Sequence, residues 1–230
     1  MPTSLATNKA AREAVLGRVK KALGATGDRA AAKTEAQRYI SAHAHGPRPA
    51  MPADLLTRFM QRAVDMESTV ERVPDHAAIP YAVARYINAL DLPPELAPQM
   101  SHKGVCWPEF AGLDWKGASL VIEARPTLGD DRLGITGTFC AIAETGTLVV
   151  LTGADSPTAT TLLPDTHIAV VRADRIVSGM EEAFALVRFE KGQPPRAINM
   201  ISGPSRTGDV EQTIVLGAHG PFRVHILVVG

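Results

Sequence analysis

Cysteine is nearly missing: Cys106 and Cys140 are the only two in 230 residues. Two thiols cannot build a disulfide framework, no C-x-x-C pair exists, and an iron–sulfur cluster needs four thiolates. Aromatic residues reach just 5%, so Ala, Val, Leu and Ile must fill the core. No apolar run approaches the roughly 18 residues of a membrane span. An apolar signal-peptide core with a small-residue cleavage site is lacking too, so a reducing cytoplasm is the expected location. Net charge is absent, because Lys+Arg and Asp+Glu both number 24. Counterion release from phosphates requires a basic surface, which argues against a nucleic-acid partner. What is present, 45% hydrophobic and 21% charged residues, describes a globular chain able to bury roughly 70% of its extended surface.

Residues 8–23 place Ala11, Val15, Val19 and Ala22 at helical spacing, with Arg12, Arg18, Lys20 and Lys21 mostly opposite and Gly24 as a stop. This basic stretch reads as a surface helix rather than an organelle transit peptide. Residues 24–52, rich in Ala, Gly and Pro, read as a flexible connection with a short helix at 35–40. The expected organisation is a helical arm and connection over 1–45 and an α/β domain over 46–230.

From Pro52 onward, helix and strand alternate. Pro52 suits a first helical position, followed by the apolar stripe Leu55, Leu56, Phe59, Met60, Ala63 and Val64. A strand at 69–73 and a helix at 76–90 follow, then a proline-rich break at 91–98. Strands are expected at 119–123, 140–143, 147–151, 167–171, 197–201 and 224–229. Ser178 should cap a helix over 179–187, with Glu181 and Glu182 in its first turn. This alternation predicts a mostly parallel sheet with helices on both faces, made mixed by an antiparallel pair around Gly146.

Chemistry concentrates in two stretches. In 200–213 an apolar strand runs into Ser202-Gly203-Pro204-Ser205, and the following residues could begin a helix. Backbone N–H groups there would suit a carboxylate or phosphate, with Gly203 giving close approach, Arg206 as counter-ion and Ser205 and Thr207 donating hydrogen bonds. Asp209 and Glu211 follow as orienting or acid–base groups. The competing reading is a tight turn capped by Thr207, with Arg206 in a surface ion pair. The second stretch runs from Gly134-Ile-Thr136-Gly137 through a strand to Glu144-Thr145-Gly146. Its small residues permit close ligand approach, and Glu144 between apolar segments could act as base or nucleophile. A hairpin turn with Glu144 at its rim explains the same residues.

No Walker A loop, G-x-G-x-x-G or G-x-S-x-G motif occurs. His43 and His45 offer two metal ligands without a third. His102, Cys106 and Glu109 are ligand-capable at loop spacing, although structural roles fit them better, and no metal is expected. His219, between glycines in 217–221, could lie beside the Ser205–Arg206 loop and accept a proton from a hydroxy acid.

The blocks Gly134-Ile-Thr136, Ala141-Ile-Ala-Glu-Thr-Gly-Thr147, Leu163-Pro-Asp-Thr-His-Ile168, Ser202-Gly-Pro-Ser-Arg-Thr207 with Asp209-Val-Glu-Gln-Thr213, and Leu216-Gly-Ala-His-Gly-Pro221 resemble the signature blocks of the LutC/YkgG family. Those are lactate-utilisation proteins of the LUD-domain type. The resemblance spans about residue 125 to the C-terminus and implies a NagB/RpiA/CoA-transferase-like α/β fold. It also implies a part in oxidising L-lactate to pyruvate beside two partner proteins that hold iron–sulfur clusters, this chain being the cluster-free component. In that setting the Glu144/Ser205 face would bind a small carboxylate or a partner, with Glu144, His219 and Glu211 as the acid–base candidates. Two other readings stay open: a free-standing CoA-transferase-like enzyme acting on an acyl thioester or sugar phosphate through Glu144, and a non-catalytic assembly module.

Overall fold

A computed structural model of the chain describes residues 5–24, 29–90, 102–207, 215–217 and 219–230. They form two compact units, Met1–Pro49 and Ala50–Gly230. The first unit contributes α1 (Leu5–Ala22) and α2 (Arg29–Ala42). The second helix runs well beyond the expected 35–40, because Ala30, Ala31 and Ala32 favour helix strongly and extend it toward its N-terminus. Val15, Leu16 and Val19 are exposed on α1.

In the second unit α3 (Leu55–Asp65) begins three residues after Pro52. Asp54 sets that start, its carboxylate accepting from Thr57 N–H at 2.9 Å. Next come β1 (Thr69–Val73), a 3-10 turn at His76–Ala78 capped by Asp75, and α4 (Ile79–Asn88). The proline-rich break expected at 91–98 lies outside the described residues. The chain continues through β2 (Lys103–Cys106), β3 (Val121–Ala124), β4 (Leu133–Gly137), β5 (Cys140–Ile142) and β6 (Thr147–Leu151). The short α5 (Ala159–Leu162) leads to β7 (Thr166–Arg172), β8 (Ile176–Val177) and α6 (Met180–Lys191). Gly179, not Ser178, caps α6, because Glu182 reaches back to accept from Gly179 N–H at 2.9 Å.

After β9 (Ile198–Ile201) no helix opens at Arg206. Instead β10 (Arg206–Thr207) pairs antiparallel with β11 (Val215–Leu216). Backbone bonds impose this: Ser205 N–H donates to Pro221 O, and Gly217 N–H to Ser205 O. Last comes β12 (Arg223–Val229).

Six strands form a wholly parallel sheet in the order β1-β12-β7-β4-β2-β3. Its central strands are apolar on both sides, as burial on two faces demands. Leu227 and Val229 of β12 turn to one face, with Ile79, Val83 and Ile87 of α4 and the indoles of Trp107 and Trp115. Val224, Ile226 and Val228 turn to the other, against Phe59 and Ala63 of α3. That second face is not covered by helix alone. A smaller mixed sheet, β8-β5-β6-β9, shares it through Ala141, Ala143 and Leu148. The far side of this smaller sheet packs Cys140, Ile142 and Val149 on Ala183 and Val187 of α6. The mostly parallel α/β architecture expected from the alternation is thus present, with sheet replacing part of one helical layer.

Candidate functional site

The strand order holds one reversal. From β2 the chain moves outward to β3, while from β4 it moves the opposite way, toward β7. Ligands of open parallel sheets settle where strands diverge like this, outside their carboxyl ends. Here those ends are Cys106 and Gly137. Trp107 N–H still donates to Ile135 O at 3.0 Å, and Pro108 then starts a 3-10 turn that carries Glu109 to the rim. The Glu109 carboxylate folds back over Gly137, whose N–H favours its charged form. A Cβ at position 137 would lie 2.1 Å from Glu109 Oε1, so any larger residue there displaces the carboxylate.

A cleft of about 180 Å3 opens at this divergence. Trp107, Phe139 and Leu151 give it apolar walls, and Glu109, Thr138, Ser156 and Lys191 its polar groups. The walls are fixed: Trp107 Nε1 donates to Pro157 O at 3.4 Å, and Arg175 stacks 4.8 Å above the Phe139 ring. Lys191 Nζ lies 5.8 Å from the same ring. Ser156 Oγ donates to Leu151 O and Thr138 Oγ1 to Val170 O, so both hydroxyls keep acceptor lone pairs. Burial pushes the Glu109 pKa up; His76 and the Gly137 N–H act in the other direction. Among the described residues no salt bridge joins Glu109 or Lys191 to an opposite charge.

The two stretches singled out by their chemistry meet elsewhere. Thr145, Thr147 and Ser202 form a hydroxyl chain with links of 2.6 and 2.7 Å. Gly146 and Gly203, at φ +70 and +87, both close on the end of α3. A Cβ on Gly146 would sit 2.5 Å from Ala63 N, and one on Gly203 would sit 2.0 Å from Met66 O. Arg206 lies 2.7 Å from Glu67 Oε2 and 3.4 Å from Met66 O, an exposed ion pair rather than an open anion clamp. Gly220 packs on Ser205, so the residues around His219 do approach this loop, while His219 itself is exposed. Glu144 is half-buried, its N–H donating to Ser178 O. Thr136 lies inside the sheet, its hydroxyl 2.7 Å from His167 Nε2. None of the predicted catalytic or anion-binding residues among those described lines the cleft; Gly137 lies next to it, beneath the Glu109 carboxylate. The Thr207 side chain, Asp209 and Glu211 lie outside the described residues.

His102 Nε2 bonds Asn88 Oδ1 at 3.0 Å, and Cys106 points into the core. Among the described residues no group of three His, Cys, Asp or Glu side chains could hold a metal ion. Burial lifts both thiols to a pKa of about 11, so they stay protonated. The cleft's Trp107, Phe139, Ser156 and Lys191 were missed from sequence, because they come from four separate segments joined only by strand order.

A family model described as LUD domain matches residues 110–229. The chain belongs to the LUD-domain family. The matched LUD region carries the Phe139 and Lys191 side of the cleft, while Trp107 and Glu109 come from residues just before it. Lactate utilization protein C of Deinococcus radiodurans is 33% identical over 214 residues, covering 87% of this LUD chain and 97% of that protein. The protein of the same name from a Geobacillus species is 38% identical over 101 residues, 43% of this chain and 42% of that one. In three dimensions the chain is similar to the crystal structure of a DUF162 family protein from Deinococcus radiodurans. The TM-score is 0.53 at 26% identity, over 79% of this chain and 100% of that one.

Proposed function

We propose that this LUD-domain chain serves lactate utilisation as the cluster-free component of a cytoplasmic iron–sulfur system oxidising L-lactate to pyruvate. One observation carries the reading: similarity along 97% of a relative named Lactate utilization protein C. Removing two electrons from lactate requires an acceptor that side chains do not provide. Two protonated, buried thiols support placing the clusters in two partner proteins. Because Arg206 already has Glu67 as counter-ion, the Glu144/Ser205 corner fits a protein partner better than a free carboxylate.

The test is purification of the tagged full chain from cells grown on L-lactate, together with a deletion strain. Expected are two co-purifying cysteine-rich proteins, lactate-dependent dye reduction, and loss of growth on lactate in the deletion strain. A chain that purifies alone from a host whose deletion strain grows normally on lactate would overturn the proposal.

A further inference from the structure

We propose that the cleft between the diverging ends of β2 and β4 binds a short hydroxy acid, with Lys191 holding its carboxylate and Glu109 facing its hydroxyl. The size sets the first limit. About 180 Å3 is room for on the order of six waters at roughly 30 Å3 each. It falls below the ~300 Å3 at which pockets begin to enclose drug-sized ligands, so a nucleotide or a whole acyl thioester does not fit inside.

The lining sets the rest. Lys191, at the last turn of α6, is the cation among the cleft's polar groups and selects a ligand with a negative end. Thr138 and Ser156 direct their protons inward to Val170 O and Leu151 O, so toward the cleft they offer only acceptors. Glu109 adds another acceptor, its carboxylate lying over Gly137. One cation facing several acceptors calls for a ligand carrying a carboxylate and a hydroxyl donor. Trp107, Phe139 and Leu151 give the ligand's hydrocarbon part an apolar wall. The pocket's charge and size come from the structure alone; naming lactate as one such acid rests on the function proposed above.

The experiment titrates the full chain with L-lactate, glycolate, propionate and acetate, by calorimetry and by backbone amide shifts. Three proteins are compared: wild type, Lys191→Met and Gly137→Ala, whose added Cβ displaces the Glu109 carboxyl. Circular dichroism and thermal melts check that each is folded. Expected are saturable binding of a hydroxy acid, shifts centred on Gly137 and Thr138, at least tenfold weaker binding in Lys191→Met, and at least fivefold weaker binding of propionate than of L-lactate. Absence of saturable binding by all four acids, shifts centred elsewhere, or undiminished affinity in folded Lys191→Met would overturn the proposal. Binding of glycolate with the expected map but not of lactate, in a host whose deletion strain grows on lactate, would keep the cleft and remove the lactate function.

Discussion

At Gly137 a backbone N–H meets a carboxylate beside open volume; at Gly203 the space a side chain would need is filled by the Met66 carbonyl. The two places share one local signature, an apolar strand breaking into glycine and hydroxyl residues. They part in what their charged neighbours do. Arg206 meets Glu67 at 2.7 Å, whereas Glu109 and Lys191 line a cleft. Glycine at a strand end announces close approach. Whether the approaching atoms belong to the protein or to a ligand depends on segments remote in sequence.

The contrast breaks first at the glycines themselves. Gly203→Ala forces a positive φ on a side chain that overlaps backbone at 2.0 Å, and should cost about 3 kcal/mol or more in urea denaturation. Gly137→Ala meets only the movable end of Glu109 and should cost under about 1 kcal/mol. Equal losses would erase the distinction.

Next in size is an acid response inside the parallel sheet. His167 is fully buried, bonded to Thr136, and desolvation pulls its pKa down to about 4. A depressed imidazole leaves stability intact above the unfolded-state pKa of roughly 6.5 and erodes it as pH falls toward 4. The loss attributable to His167 is about 3 kcal/mol between those limits. His225, stacked on Tyr86 and near Glu71, titrates in the same range, also about 4. Denaturation of wild type and His167→Gln at pH 7 and pH 4.5 measures this. The variant should lose distinctly less on acidification, and parallel losses would contradict it.

Arg206→Ala should change little, because exposed ion pairs contribute under about 1 kcal/mol. Its affinity for hydroxy acids should match wild type; a tenfold loss would move the binding locus to the corner. The smallest effect belongs to Glu109→Gln. A raised carboxyl pKa favours the folded state below the unfolded value and penalises it as pH rises through the folded one. The glutamine variant lacks that penalty, although His76 and the Gly137 N–H soften it in wild type. Its melting temperature should therefore gain on wild type from pH 4 to pH 8, and a difference flat with pH would refute the burial of this carboxyl.

Local pattern made much of the fold legible. The runs behind β7 and β12 are continuous and β-branched, and β1 coincides with its expected 69–73. By contrast β2, four residues beginning Lys-Gly, is too short to show a period, and without it no strand order can be drawn. At Arg206 a strand opens where the residues after Ser205 suggested a helix, because Ser205 is tied to Gly217 and Pro221, contacts no local propensity reveals. The same blindness hid the cleft. Glu109 stood out only as a neighbour of His102 and Cys106, yet its carboxylate lies over Gly137 on the adjacent strand.

The position of β12 sets a constraint on how the molecule is made. Residues 223–229 lie between β1 and β7, and β1 pairs with no other strand among those described. Thr69 must therefore wait for His225, 156 positions later, before its half of the sheet is joined. During synthesis the early hairpinless segment has no ladder to enter, and closing so long a loop is a slow, late event. Assembly of this domain thus ends like the fitting of a keystone, with the last-made strand sliding in between two that were made before it.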